Sequence, residues 1–536
     1  MKNHDSTIYI TTPIYYVNDK PHIGHAYTTT VCDVYARAMR FLGRDVFFLT
    51  GTDEHAAKVV DAAAERGLTP LQWADQNAAA FEDAFRVLGI ENDDFIRTSQ
   101  SRHIDRVRAY VSALMESGDV YLGEYEGWYD AGQEEYIPEL KAKEYGYNSP
   151  INGKPLVRKT EKNYFFKLSA YREPLLALLE RHESVDGMTF TVQPDSRRNE
   201  IVERIRTMED VPISRTGQID WGITIPNDPE HTIYVWIDAL FNYLSTVDAD
   251  DRRKYWQCGA LHLIAKDILW FHAAIWPAML LALRSRPGFE WIALPRMVYC
   301  HSFWIAEGRK MSKSLGNFID LPTIQTYLDR YGLDAWRYYM TTQGPLGSTD
   351  ADFAADHFHE IYHAHLVNTF GNCASRVTAM INKYFDGVVP DEHGDDGARI
   401  TFEGYAWAAL APEAFETYLR EIEAFDLADA VEAPLALVRR VDTFINHTEP
   451  FKLAKDDTRR AELGAILYQC LESLRIASLM LWPVMPERMA AFWQGIGQSI
   501  EPDAGHLRDL AKWGGLKPGT TVEKLALFPR IEKQTE

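Results

Sequence analysis

Two histidines, His22 and His25, enclose an Ile-Gly pair in the stretch PHIGHAYTT, residues 21–29. A spacing of three brings both imidazoles to one face of a helix start. In an open parallel sheet, ligands bind beyond the carboxyl ends of the strands, where the following helix presents unpaired N–H groups and a positive dipole end. Gly24, without a side chain, lets a flat ring lie on the backbone there. Such a pair suits a polyphosphate whose charge rises in its transition state. Two histidines capping a turn is the plainer alternative, and a metal site would want a third ligand that the neighbouring sequence does not supply. Far along the chain, GRKMSKSLGN (308–317) sets Lys310 and Lys313 around a Met-Ser pair, between Gly308 and Gly316. Flanking glycines permit a loop that moves, and its ammoniums can close over bound phosphates. An exposed basic turn is the alternative for that segment taken alone.

The elements that must position these residues are legible in the pattern. TIYITTPIYYV (7–17) is β-branched and aromatic and predicts a strand. Pro21 suits a turn or a first helical position, and from Gly24 apolar residues recur at three or four until Gly43 stops the pattern. DVFFLTGTDEH predicts a second strand running into a polar loop. Strand, helix, strand, helix means an α/β fold with a parallel, Rossmann-like sheet. This catalytic domain is expected over 1–115 and 228–320, split by a Gly-, Tyr- and turn-rich inserted connective domain at 116–227. The segment 321–355 links the lysine loop onward. Amphipathic stretches at 356–384, 405–446 and 460–482 predict an all-α helical bundle over 356–536.

At 536 residues the chain exceeds what one core usually serves. A formal charge of −21 argues against a general coating of nucleic acid or anionic membrane, while leaving room for a local basic surface. Five scattered cysteines without a CxxC fit a reducing compartment and offer no zinc spacing. The N-terminal stretch has no apolar run, and ILWFHAAIWPAMLLAL (268–283) reads as a buried helix, so a cytoplasmic protein is expected.

HIGH at 22–25 followed about 285 residues later by KMSKS at 310–314 resembles the signature pair of class I aminoacyl-tRNA synthetases. YITTPIYYVNDKPHIGHAYTT, FLTGTDEH, NYFFKLS, DWGITIPNDPEHTIYVWIDALFNYLS, KDILWFHAAIWPAML and FGNCASRV are similar to the methionyl-tRNA synthetases along almost the whole chain. The resemblance implies activation of methionine with ATP and Mg²⁺, then transfer to tRNA(Met) with the CAU anticodon. It implies that Pro13, Ile14, Tyr16, Asp53, Trp236, Ala239, Leu240, Tyr243 and His272 surround methionine. Aromatic rings contact a thioether favourably, a carboxylate such as Asp53 can hold the α-ammonium, and His272 and Tyr16 carry polar tips suited to reading the sulfur. It further implies His22 and His25 on the triphosphate, Gly24 under the adenine, Asp267 at the ribose, and Lys310 and Lys313 on the β and γ phosphates. Asn372 and Arg376 match the anticodon-reading pair, and Phe451 stands where many relatives stack a tryptophan on an anticodon base; packing of Phe451 in the core is the alternative.

The chain departs from the family at several points. Where GWYC is common it reads GWYD with Asp130, and the insertion has no cysteine, so no structural zinc is expected and Tyr125, Tyr129 and Tyr136 are expected to pack the knuckle. Ala56, Ala265 and Ser302 replace common glycines, and a methyl group at Ala265 would crowd a closely approaching nucleotide. A monomer is expected. The competing readings are a synthetase-like paralogue serving another acceptor, a non-catalytic RNA-binding scaffold, and a nucleotide-binding oxidoreductase, the last disfavoured by the lack of GxGxxG after the first strand.

Overall fold

In a computed structural model the described residues are 7–533 without 19, 132–134, 138, 217–220, 312–315 and 395–396; of Tyr125, Glu135 and Glu161 the backbone alone is described. The chain opens with β1 (Thr7–Tyr16), α1 (Ile23–Phe41), β2 (Asp45–Asp53) and β3 (Asp94–Arg97). It continues through β4 (Val120–Asp130), β5 (Glu135–Ile137), β6 (Val157–Phe166), β7 (Thr191–Gln193), β8 (Leu261–Ala265) and β9 (Met297–His301). Six of these strands form one parallel sheet in the order β3-β2-β1-β8-β9-β7. Its order reverses at β1, between β2 and β8, which is where an open α/β sheet leaves a crevice at its carboxyl edge. The β1–β2 register also shifts between Thr11 and Ile14, leaving Thr12 and Pro13 out of the regular ladder at that edge.

Both faces of the sheet are covered, as parallel sheets require. On one face, α1 is buried along nearly its whole length rather than on a single stripe. The cause is a second covering layer: one continuous apolar cluster runs from Ile8, Tyr27 and Val31 through Trp336 and Phe370 to Leu474 and Phe492. Asp33 and Arg37 can occupy this buried helix because they pair with each other at 2.7 Å.

The insertion is interrupted by a strand of the main sheet. β4, β5 and β6 form an antiparallel sheet with Val211–Pro212, apart from the main one. The intervening β7, however, pairs in parallel with β9 as the last strand of the main sheet. The range 116–227 therefore contains a return to the catalytic core. The switch is written in LSAYREPLLALLE, where turn-rich composition gives way to an apolar helical run, Arg172–Leu179.

The C-terminal region is helical. The expected stretch 405–446 is two helices, Trp407–Glu423 and Leu427–Thr448, broken where Phe425 takes φ 64° and Asp426 caps the second. Residues 268–283 are buried but begin with a π-helical turn, Phe271–Ile275, before the helix Trp276–Arg284. No described helix is long and apolar enough to cross a membrane.

Candidate active site

The reason for the HIGH spacing is visible at the start of α1. His22 is its N-cap: its Nδ1 accepts from the Gly24 N–H at 3.0 Å, while the His22 N–H donates to Nδ1 of His25 at 3.2 Å. This is a capping box built from imidazoles. Because both Nδ1 atoms accept backbone protons, the ring proton of each neutral imidazole sits on Nε2. The two rings lie 3.8 Å apart, centre to centre. Burial, reinforced by the neighbouring His22, lowers the His25 pKa well below its usual value, so this imidazole is a neutral donor. Tyr15 and Phe81 hold its other side, at 4.6 and 5.1 Å.

Gly24 has a part in the cap itself. The ring that lies against it here is the imidazole of His22, whose Cε1 would be 2.9 Å from an added Cβ. The glycine is required by the cap itself, before any nucleotide base is considered.

The distant lysine segment returns to this point. Trp304–Ala306 and Arg309–Lys310 form a hairpin whose turn residues, Glu307 and Gly308, both have positive φ. Lys310 is exposed on it. Beyond the loop the chain runs back against α1: the Ile23 N–H donates to the Ile319 carbonyl at 2.9 Å, His22 bridges to Asp320, and the Phe318 ring stands 5.3 Å from that of His22. Lys313 lies outside the described residues. Asp267 is exposed at the cleft: desolvation there raises its pKa, while backbone N–H groups and then Lys266 and Lys310 pull the other way.

These segments line one cavity of about 520 Å³ at the carboxyl edge of the sheet. Pro13, Ile14, Tyr16, Asp53, Trp236, Ala239, Leu240, Tyr243 and His272 line it, and so do His22, Gly24, His25 and Asp267. At its apolar end Trp236 stacks on Phe271 at 4.2 Å and meets Tyr16 edge-on at 5.8 Å. Asp53 brings a buried carboxylate to the rim of this slot. The His272 ring is fixed by two hydrogen bonds. Its Nδ1–H donates to the Ile268 carbonyl at 3.0 Å, so Nε2 accepts the Tyr243 hydroxyl at 2.8 Å. Burial holds its pKa down at about 4. His272 therefore orients Tyr243, and the π-helical turn that carries it sets the ring's depth.

Sequence reasoning missed several cavity residues. Thr28 sits one turn beyond Gly24, and its hydroxyl meets His301 Nε2 at 2.9 Å; Asn242, Phe303 and Trp304 also line the space. Thr28 and Asn242 stand beside recognised motifs, at helical spacing from Gly24 and Ala239, which is the signal that would have found them. Ala265 lines the cavity with φ −84°, a conformation that tolerates its methyl group. Ser302 has a role that glycine lacks: its hydroxyl accepts from Arg197 at 3.1 Å.

Elsewhere, the helix Asn372–Tyr384 carries Asn372 exposed and Arg376 half-buried. The Arg376 guanidinium bonds Asp442 and, at 3.1 Å, Asn446 Oδ1. Phe451 is 46% exposed, which removes the core-packing alternative and leaves a ring face for a planar partner. In the insertion, Tyr129 and Tyr136 pack at 5.0 Å and Lys159 lies 5.0 Å from the Tyr129 ring centroid; the Tyr125 side chain lies outside the described residues. Asp130 is buried beside them, and a thiolate-bound zinc does not fit a segment without cysteine.

A parallel sheet whose first helix is capped by paired imidazoles, with the return of a lysine-bearing segment bonded to that helix start, is the arrangement of a class I aminoacyl-tRNA synthetase catalytic domain. Residues 8–378 match the model of that family described as tRNA synthetases class I (M). The chain belongs to the methionine–tRNA ligase family. It is 41% identical to the methionine–tRNA ligase of Streptomyces coelicolor over 98% of this chain and 97% of that one. It is 38% identical to that of Halalkalibacterium halodurans, over all of this chain and 80% of the relative. Among solved structures, Mycobacterium tuberculosis methionyl-tRNA synthetase in complex with methionyl-adenylate superposes with a TM-score of 0.87 at 33% identity, covering 98% of this chain and 100% of the other.

Proposed function

We propose that the 520 Å³ cavity is where this chain activates L-methionine with ATP and presents the product to tRNA(Met). The amino acid lies in the slot of Pro13, Ile14, Tyr16, Trp236, Ala239, Leu240, Tyr243 and His272, with its α-ammonium on Asp53. The nucleotide runs along α1, with its phosphates at His22 and His25, its base over the start of that helix at Gly24 and its ribose at Asp267. A methionine carboxylate oxygen attacks the α-phosphorus, the bond to the β-phosphate oxygen breaks, and pyrophosphate leaves. The 3′-terminal ribose hydroxyl of tRNA then attacks the adenylate carbonyl and AMP departs.

No side chain forms a covalent bond in this scheme. The contribution of His22 and His25 is electrostatic: two neutral Nε2–H donors, fixed by the backbone before ATP arrives, face charge that grows on phosphorus. Lys310 and Lys313 neutralise the departing pyrophosphate, and Mg²⁺ enters with ATP as part of the substrate. Catalysis is alignment plus charge stabilisation. The observation that supports this most is the Ile23–Ile319 hydrogen bond, which joins the two phosphate-directed segments at one cleft.

For tRNA, Asn372 and Arg376 read anticodon edges and Phe451 stacks on an anticodon base. The enzyme works as a cytoplasmic monomer, without structural zinc, on tRNA carrying CAU. Methionine-dependent ATP–pyrophosphate exchange followed by charging of that tRNA tests the reading. Exchange without charging would favour the paralogue, and neither activity in folded protein would overturn the assignment.

A further inference from the structure

The TDEH motif that ends β2 has a residue that the cavity does not use. His55 lies two positions beyond Asp53, and its Nδ1 sits 2.7 Å from Oδ2 of Asp238. The other carboxylate oxygen of Asp238 lies 2.7 Å from Nε2 of His103, whose Nδ1 meets the Ser245 hydroxyl at 2.8 Å. All three side chains are buried, His103 completely. A carboxylate can only accept, so each imidazole donates through the nitrogen facing it. None of His55, His103 and Asp238 lines the cavity.

What they join does line it. Asp238 belongs to the short helix Val235–Leu240, which carries Trp236, Ala239 and Leu240. His55 belongs to the loop that follows Asp53, the last residue of β2. His103 comes from the helix Ser101–Glu116, outside the cavity altogether. The loop is braced on its other side too. Glu54, fully buried, bonds Arg97 at 2.6 and 3.1 Å, and its carbonyl accepts from Trp221 Nε1 at 2.6 Å. The Trp221 ring in turn stands edge-on to His55 at 5.3 Å. Burial alone would push the Asp238 pKa up; the two imidazoles outweigh it and hold the carboxyl at about 2.

We infer that His55 and His103 are positioning residues for methionine: through Asp238 they fix the distance between the Asp53 end of β2 and the Trp236 wall, the two sides of the amino-acid slot. The inference rests on the proposed assignment of that slot. Its energetic logic is preorganisation. A site gains from groups held within a fraction of an ångström by locked neighbours, and a displacement of one ångström costs up to ~10²-fold. The nucleotide end is held separately by the α1 cap and the Ile319 contact, so slackness here loosens methionine and leaves ATP in place.

The geometry makes the test specific, because the two histidines use different nitrogens. An asparagine amide nitrogen falls near Nδ1, and a glutamine amide nitrogen falls near Nε2. In pyrophosphate exchange, His55→Ala and His103→Ala are each expected to raise the methionine KM ~10-fold or more while the ATP KM moves less than ~2-fold. His55→Asn restores the methionine KM and His55→Gln does not; His103→Gln restores it and His103→Asn does not. Where an alanine variant fails to fold, the paired amide variants decide on the same readout. Trp236→Ala is the control for the slot. If it leaves the methionine KM unchanged, the site assignment fails. If it raises that KM while the amides of each pair behave alike, or while methionine and ATP constants rise together, the positioning inference alone is overturned.

Discussion

The Ile23 amide and the Ile319 carbonyl meet at 2.9 Å, joining the first turn of α1 to the strand-like return of the lysine loop. Nearly three hundred residues of chain separate the partners, yet this bond and the His22–Asp320 bridge put both phosphate-directed segments on one rim. His25→Ala and Lys313→Ala are therefore each expected to lower pyrophosphate exchange by ~10²-fold or more with the fold intact, as loss of transition-state donors does. Near-normal exchange in both, with unchanged circular dichroism, would contradict the roles given to them.

Burial of neutral histidines makes stability depend on pH in a definite direction. His272 and His301 have pKa values held down at about 4, and His25 and His262 are also lowered by burial. An unfolded chain takes up these protons near pH 6.5, while the folded one refuses them until far lower. Stability is complete above the unfolded value and is lost as pH falls from there toward 4. His272 and His301 each remove about 2 kcal/mol by pH 5, and His25 and His262 act in the same direction. Urea midpoints measured from pH 7.5 to pH 5 should fall steadily; a flat profile would mean that these rings are solvated or paired in ways the coordinates do not contain.

The sequence made the sheet and the motifs legible because their signals are local. A β-branched run, a turn and a helical period stand in one window, and HIGH and KMSKS are strings of letters. What it hid was set by distant partners. The three residues of β7 carry no period of their own and become a strand only because β9 offers them a ladder. The tautomer of His272 follows from the Ile268 carbonyl and the Tyr243 hydroxyl, which no spacing rule couples. That the His22 ring packs against Gly24 is likewise visible only in three dimensions. The burial of α1 on all sides depends on helices more than three hundred residues away.

The exposed ring of Phe451 gives a prediction confined to tRNA. It sits on the short helix Pro450–Leu453, after the helix whose Asp442 and Asn446 hold Arg376. Stacking of a base on an aromatic ring contributes ~1–3 kcal/mol. Phe451→Ala should raise the KM for tRNA by ~10-fold or more without changing pyrophosphate exchange, and Phe451→Trp should lower it. A tRNA KM indifferent to both would return Phe451 to a surface residue without a partner in RNA.

The catalytic and helical parts share a buried charge that is expected to behave unlike a surface salt bridge. Asp33 of α1 accepts from Arg37 at 2.7 Å and from Arg337 at 2.6 Å, and its second oxygen accepts the Glu91 N–H. Arg337, fully buried on the helix Leu333–Gln343, also donates to the carbonyls of Leu88, Pro483 and Val484. One guanidinium thus bonds the catalytic domain on one side and the C-terminal helices on the other. Burial by itself would raise the Asp33 pKa, but the two arginines keep it below the ordinary value. Arg337→Met removes the donors while filling most of the volume, and leaves the Leu88, Pro483 and Val484 carbonyls without this buried donor, while Asp33 keeps Arg37 and the Glu91 N–H. The expected cost is about 3–5 kcal/mol, the range for breaking a buried pair from one side. Adding Asp33→Asn to Arg337→Met should cost more rather than less, because it takes the carboxylate partner from the buried Arg37 guanidinium. Urea denaturation followed by tryptophan fluorescence measures both. A single variant within 1 kcal/mol of the parent would show that this joint is solvated and that the two parts are held by apolar packing alone.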